Sequence, residues 1–545
     1  MIAGIENIEK EISSVLNKYE ILDNIEIRYS NLNNVDLQCN NLVRYSNNKN
    51  LSSIKTNLVS SLEKNPLIAS IEINDKNFIN MNFSNQYLFE YSQSIAKRIR
   101  HTQRNSIIFD YGGPNIGKDL HVGHIRTLNI GRSLYNIFKV AGNTVVSDIH
   151  FGDWGMPVAQ IIAYIEHNDL DLEILDYEDL ETIYPKANKL SNEDKDFYDT
   201  AKSIAMQLNS KNEIYTKKWK TIYNLAIPNI KTLLDKLGHN FDWYFGESDV
   251  VKETDLVVSK AINEKKVKKD DGALISTQEV DSPILITKSD GSYLYLTTDL
   301  GTVLFRENKS SFDKYIYVVD SRQENHFKQL FNTVKHFGLS NSDFYHVGFG
   351  TINGSDNKPF KTRDGGVYKL NLLFEDIKEK LKKYNSDDQV LNTLTNTVLT
   401  YSDLLPNRNQ NYIFDVDKFT DINGKTGIYI QYAQVRAKKL LDNSTMPGSY
   451  DKNFEINSEE RNLLLLITKF DYFFNLSLSS MEPHHLAEYL FSLSQAFNSF
   501  YTNNKIFSDE VDKVTQVNRI KIVEEFFTTI GLAFNCLGIE AAESM

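Results

Sequence analysis

The 545-residue sequence predicts an α/β multidomain protein. A small α+β domain comes first, a parallel-sheet domain carrying an insertion follows, and an all-α helical bundle ends the chain. Three observations predict this. Short apolar runs at 107–109, 144–146, 315–319 and 344–348 alternate with segments of helical apolar spacing. Residues 166–280 are highly charged and read as mostly helical, as an insertion into a sheet domain would. Beyond residue 373 only helical patterns remain.

Composition narrows the classes. Hydrophobic residues make up 41% of the chain, with 31 Phe and 29 Tyr, which excludes disorder. The two cysteines, Cys39 and Cys536, are too few for a Cys-based zinc site and suit a reducing cytosol. The first ten residues include acidic side chains where a signal peptide would be basic and then apolar, and no 18-residue apolar run occurs. A soluble, cytoplasmic protein without a membrane segment is expected. The net charge of −12 argues against sequence-independent binding along a nucleic-acid backbone, yet leaves room for a partner held by local basic patches.

Taken in order, residues 1–90 open with an amphipathic stripe (Ile5, Ile8, Ile12, Val15, Leu16) and a polar loop at 41–52. Alternation at 71–73 and 78–81 gives strands, and 91–104 reads as a helix. The central domain spans 91–375. Its strand at 107–109 leads to a glycine-rich turn, a helix at 125–138 and a strand at 144–146. Gly152-Asp-Trp-Gly155 turns the chain into a helix at 158–165. Residues 284–296 read as a hairpin turning at Asp290-Gly291, and strands at 315–319 and 344–348 flank a helix at 326–336. The last domain, 376–545, has helices at 427–441, 463–474, 486–500 and 520–534.

The chemistry concentrates after the first central strand. In Asp110-Tyr-Gly-Gly-Pro-Asn115-Ile-Gly-Lys-Asp-Leu-His121-Val-Gly123-His124 a strand passes over glycines into a helix start. Free backbone N–H groups and the helix dipole there favour a phosphate. His121 and His124 share a face and can donate to phosphate oxygens, and Gly123 lets a nucleotide approach the backbone. Capping or surface histidines, or two of three metal ligands, are the other readings. The second group is Lys358-Pro-Phe-Lys361-Thr-Arg363-Asp-Gly-Gly366, a cationic glycine loop suited to a triphosphate, without the spacing of a Walker A motif. It also reads as a plain solvated turn, apart from its place after the last strand. Third come Tyr295, Asp299 and Gln323, of which Asp299 with Asp110 could pair with a cationic substrate. Helix capping is the plainer reading of Asp299.

These motifs resemble those of the class I aminoacyl-tRNA synthetases, and most closely the arginyl-tRNA synthetase family. His121-Val-Gly-His124 resembles the family's first ATP signature, and Pro114-Asn115-Ile-Gly-Lys118 and Gly152-Asp-Trp-Gly155 resemble its flanks. Phe360-Lys361-Thr-Arg363 stands where many relatives carry the second signature. Residues 241–248, 318–323 and 537–545 also look like that family. Gly112-Gly113 and Met156-Pro157 depart from its commoner residues, and Asp110 stands where some relatives have Glu.

The resemblance implies a Rossmann-like catalytic domain that joins L-arginine to tRNA(Arg) through an arginyl-adenylate, with ATP as substrate and Mg²⁺ beside it. It implies that Asn115, Gly123, His121, His124 and Lys361 meet ATP, with Arg363 on the leaving phosphates. Asp110, Asn115, Tyr295, Asp299 and Gln323 would hold arginine. Tyr429, Gln431, Tyr432, Gln434, Val435 and Arg436 would lie in the anticodon-binding bundle, with Tyr429, Tyr432, Gln434 and Arg436 on the tRNA. The N-terminal domain would touch the tRNA elbow, and the protein would be a monomer that needs bound tRNA for the first step. An adenylate-forming paralogue acting on a small molecule and a non-catalytic tRNA-binding protein are the alternatives.

Overall fold

The computed structural model describes residues 3–32, 34–93, 95, 104–279, 283–354, 368–444, 450–451 and 454–545. The chain forms two compact units. One comprises residues 101–421 with 536–539, and the other 1–100, 422–535 and 540–545.

The first unit is built on five parallel strands: β1 (Ser106–Tyr111), β2 (Thr144–Phe151), β3 (Trp243–Gly246), β4 (Lys314–Asp320) and β5 (Asp343–Phe349). Their order is β5-β4-β1-β2-β3. The connecting helices are α1 (His124–Val140), α2 (Met156–His167), α3 (Tyr177–Glu193), α4 (Lys195–Asn209), α5 (Glu213–Lys236), α6 (Val251–Asn263), α7 (Tyr295–Lys309) and α8 (Glu324–Phe337). Two more, α9 (Leu370–Leu381) and α10 (Asp388–Leu404), follow β5. Residues Ile107, Ile108 and Phe109 of β1 and Tyr315 to Val318 of β4 are all buried, as strands covered on both faces must be. From β1 the chain steps outwards to β2 and β3, then returns to the other side as β4 and β5. The strand order thus reverses between β1 and β4, and a crevice opens beyond their carboxyl ends.

Several expectations need correction. Residues 243–246 are a strand of the parallel sheet, so the span read as an insertion contains an integral element. The hairpin at 284–296 has only one strand. Leu285–Thr287 pairs with Ala273–Ser276 in a small antiparallel sheet, and the turn at Asp290-Gly291 brings back only a one-residue second arm, Tyr293 bridged antiparallel to Thr287, before α7 begins. Thr297 Oγ1 donates to the Ile286 carbonyl and ties that helix start to the strand (2.5 Å). Residues 376–421 belong with the sheet, which moves the boundary expected at 375–376 to near 421. The cause is α10, which packs on α1 through buried polar groups. Asp403 pairs with the fully buried Arg126 (3.2 Å), and Arg132 donates to Thr400 Oγ1 (2.8 Å).

In the second unit, strands Ile27–Tyr29, Leu37–Cys39, Ile79–Phe83 and Ile68–Ile73 form an antiparallel sheet in that order, with helices Ala3–Asn17 and Leu51–Leu62. The stripe from Ile5 to Leu16 is buried as its spacing requires. The stretch read as a loop at 41–52 contains a 3-10 turn, Asn41–Tyr45. The helix expected at 91–104 lies mostly outside the described residues. The bundle holds Gly427–Asp442, Ser458–Thr468, Phe470–Ser480, His484–Asn503 and Lys513–Leu537. The single helix read at 463–474 is two, broken at Lys469. Arg461 of the bundle donates to Asp36 of the sheet (2.6 and 3.1 Å) and to the Phe83 carbonyl, which makes one unit of sequence-distant parts. No described helix is long and apolar enough to cross a membrane.

Candidate active site

The turn from β1 to α1 sits at the switch point, and its glycines are fixed by what surrounds them. Gly112 has φ +95°, open to glycine, and its N–H donates to Thr127 Oγ1 (2.9 Å). Asn115 bridges to Gly152 of the next turn. The Ile116 N–H donates to the Gly152 carbonyl and the Gly152 N–H to that of Pro114 (3.1 and 3.0 Å). A Cβ on Gly152 would lie 1.8 Å from Asn115 Oδ1, so glycine there is what lets the exposed Asn115 side chain take its place.

The His121 and His124 rings meet at a tilt of 41°, with centroids 4.0 Å apart. The His121 N–H donates to Nδ1 of His124 (3.0 Å), and the Gly123 N–H donates to Nδ1 of His121 (3.1 Å). With both Nδ1 atoms accepting, each ring carries its proton on Nε2. Burial and then Lys118 hold His121 below the usual histidine range, and burial with His121 pushes His124 down to about 3. The pair therefore presents neutral N–H donors at a helix start. Gly123 also has a packing reason. A Cβ there would meet His121 Cε1 at 2.8 Å, so the glycine makes room for the folded-back ring.

Beside this turn lies a charged network. Register places Asp110 of β1 between Asp148 of β2 and Tyr317 of β4. Arg306 of α7, fully buried, donates to Asp110 (2.5 Å), to Asp148 (2.7 and 3.0 Å) and to the Tyr317 hydroxyl (3.3 Å). Burial opposes its charge, but the two carboxylates outweigh burial and hold Arg306 protonated. Asp110 thus meets the crevice as one member of an ion network. Tyr295, Asp299, Thr302 and Arg306 form one stripe along α7 at helical spacing. Tyr295 is 72% exposed at its open end. Asp299 pairs with His326 of α8 (2.6 Å), which raises the histidine above its usual range.

Two further carboxyls complete the wall. Asp153 is wholly buried, accepts from the Ser248 N–H and hydroxyl (2.9 and 2.6 Å), and is pushed up to about 6 by burial. Glu247, after β3, is pushed up to about 8 by burial first, then by Asp153 and Asp299. A carboxyl so placed gains most from an incoming cation. Glu247 and Tyr295 line a cavity of about 420 Å³ together with Trp154, Tyr198, Lys202 and Tyr293.

The structure thus gathers Asp110, Tyr295 and Asp299 along one crevice wall, with Asn115, His121 and His124 on the β1–α1 turn. Gln323 is exposed at the end of the 3-10 turn after β4. Lys361 and Arg363 lie outside the described residues. The sequence reading assigned no role to Glu247, Asp153, Arg306 or His326. The helical spacing from Tyr295 to Arg306 was the signal for Arg306.

In the second unit the helix Gly427–Asp442 carries the residues expected to meet tRNA. Gln434 is only 3% exposed and Val435 2%, so neither offers a surface contact. Gln431 holds the end of the chain, donating to the Glu540 carbonyl (2.6 Å) and accepting from the Ala542 N–H (2.9 Å). Tyr429, Tyr432 and Arg436 are half-buried. Arg436 donates to the Tyr432 hydroxyl (2.7 Å) and to Asn498 (3.0 Å).

Comparison with known proteins gives matches along nearly the whole chain. Residues 86–416 match the family model "tRNA synthetases class I (R), catalytic domain". Residues 5–83 match "Arginyl tRNA synthetase N terminal domain", and residues 430–545 match "DALR anticodon binding domain". The arginine--tRNA ligase of Francisella tularensis subsp. tularensis (strain FSC 198) is 31% identical over 93% of this chain and 94% of its own. That of Alkaliphilus oremlandii (strain OhILAs) is 33% identical over 90% of each chain. Among solved structures, the fold is similar to that of Plasmodium falciparum arginyl-tRNA synthetase (TM-score 0.81, 24% identity, 99% of each chain). It is also similar to that of the Thermus thermophilus enzyme (TM-score 0.79, 16% identity, 99% of this chain and 100% of that one).

Proposed function

Since the chain belongs to the arginyl-tRNA synthetase family of class I aminoacyl-tRNA synthetases, ATP-dependent ligases of arginine to tRNA, we propose residue roles for each half of that reaction. In the first half the arginine carboxylate attacks the α-phosphorus of ATP, an arginyl-adenylate forms and pyrophosphate leaves. In the second, the terminal ribose hydroxyl of tRNA(Arg) attacks the activated carbonyl and AMP leaves. ATP enters as its Mg²⁺ complex.

The neutral Nε2–H groups of His121 and His124 donate to the phosphate oxygens as charge moves onto them. They need no proton transfer, and their low basicity keeps them fixed as donors. Asn115, held against Gly152, orients the nucleotide and the amino-acid end of arginine. Lys361 and Arg363 grip the leaving phosphates. The arginine side chain runs along the α7 stripe. Its guanidinium meets Asp299 and Glu247 with the Tyr295 hydroxyl at the mouth, and Gln323 takes the ammonium group. Asp110 sets the floor through Arg306. In the bundle, Tyr429, Tyr432 and Arg436 offer stacking and cationic surface to the anticodon. The N-terminal domain meets the tRNA elbow. We place the enzyme in the cytosol, a reading supported by its two buried cysteines outside any disulfide, and take it to be a monomer.

The observation that carries the arginine assignment is the set of carboxyls around α7, with Glu247 raised by burial and then by Asp153 and Asp299. The test is Asp299→Asn. Removal of a charge-assisted hydrogen bond worth roughly 2–3 kcal/mol raises KM for arginine about 30- to 150-fold and leaves KM for ATP unchanged. Equal rises in both would refute the assignment.

A further inference from the structure

The segment just after the cationic loop is stitched to the histidine turn. The Val122 N–H donates to the Tyr368 carbonyl (3.0 Å), and the Leu370 N–H donates to the Leu120 carbonyl (2.8 Å). These two bonds make His121 and Lys369 direct antiparallel partners. They form the non-hydrogen-bonded type of pair, in which side chains stand closest on one face. Lys369 is therefore the cross-strand neighbour of the first signature histidine, and it lies six residues after Arg363.

The Lys369 ammonium is held by two carboxylates. It pairs with Asp119, two residues before His121, and with Glu181 of α3 (2.7 Å). The two carboxylates are 21% and 11% exposed, and the lysine 48%. Asp119 also accepts from the Tyr177 hydroxyl (3.5 Å), which stands one helical turn before Glu181 on α3. One helix of the insertion thus presents two groups, four residues apart, to both sides of the bridge.

We propose that Lys369 is a positioning residue for adenylate formation. It pins residues 368–370 to the histidine turn, and Glu181 anchors that pin in the insertion. The proposal rests on the assignment of the two signatures to ATP. It assigns Lys369 a role through other groups and excludes it as a direct phosphate ligand. It also gives the insertion helix α3 a part in the first chemical step.

The experiment is a double-mutant cycle read by ATP–pyrophosphate exchange, with arginine and tRNA saturating and ATP varied. The proteins are wild type, Lys369→Met, Glu181→Gln, the double variant and Lys369→Arg, each checked by thermal melting. Lys369→Met lowers kcat/KM for ATP about tenfold and leaves KM for arginine unchanged, a modest loss suited to a half-exposed ion pair. Glu181→Gln gives a smaller loss in the same direction, the double variant is no worse than Lys369→Met, and Lys369→Arg recovers most activity. Wild-type kinetics in Glu181→Gln beside impaired Lys369→Met would overturn the proposal, because Lys369 would then act on phosphate directly. Additive losses, or equal falls for ATP and arginine, would overturn it as well. Absence of exchange in the wild type would instead overturn the ATP assignment on which the proposal rests.

Discussion

Replacing Glu247 by glutamine keeps the shape of the crevice and removes a charge that only a bound cation stabilises. The carboxyl is pushed up to about 8 by burial and by Asp153 and Asp299. In the empty site it is therefore protonated below that pH, and arginine must expel the proton to gain the ion pair. The sign follows: arginine binding strengthens as pH rises towards about 8 and levels off above it. At about pH 7 the expulsion costs about 1.4 kcal/mol, one unit below the titration. A buried guanidinium–carboxylate contact contributes roughly 3 kcal/mol. The difference of roughly 1.6 kcal/mol makes Glu247→Gln raise KM for arginine about 15-fold near pH 7 and more than about 100-fold near pH 9. The assay is aminoacylation at saturating ATP and tRNA, with arginine varied from about pH 6.5 to about pH 9. Wild-type log KM falls by up to one per pH unit below 8, whereas the variant's profile is flat through that window. An unchanged KM near pH 9, or the same slope in the variant, would refute the reasoning.

Three other perturbations have defined outcomes. His124→Ala removes a neutral donor to the α-phosphate and lowers kcat for pyrophosphate exchange roughly 100- to 1,000-fold, with tRNA affinity in a filter-binding assay unchanged. Gly152→Ala sets a Cβ 1.8 Å from Asn115 Oδ1 and must displace that exposed side chain. Exchange activity falls about 100-fold while the melting temperature stays near wild type. Asp403→Ala leaves the buried Arg126 guanidinium without its carboxylate, and urea unfolding of the sheet unit loses about 3–5 kcal/mol.

The parallel sheet was legible because its strands are buried on both faces and read as unbroken apolar runs, as at 107–109 and 315–319. The histidine turn was legible from an apolar run, a glycine-rich stretch and two histidines three residues apart before a helix. What escaped is polar and non-local. Arg126 and Arg306 are among the largest fully buried side chains, and in sequence they look like solvent-facing members of helices. Their carboxylate partners lie far along the chain: Asp403 for Arg126, and Asp110 and Asp148 for Arg306. Alternation in Ser292-Tyr-Leu-Tyr-Leu296 suggested a strand, but Leu294 is the N-cap of α7 and the helix takes over at Tyr295. Strand β3 is four residues long and surrounded by helices, too short a run to stand out by periodicity. The break at Lys469 is hidden by apolar spacing that continues across it, although the Asn457–Glu460 capping box marks where the first of the two helices begins.

The most direct measurement is the charging of total tRNA by the purified protein, with MgATP and each proteinogenic amino acid labelled in turn. Acid-precipitable label appearing with arginine alone, dependent on ATP and accompanied by AMP and pyrophosphate, is the result expected from the crevice described here. Charging with a different amino acid would contradict the assignment of Asp299 and Glu247 to a guanidinium. An absence of charging by protein that binds ATP and tRNA would contradict the catalytic account itself.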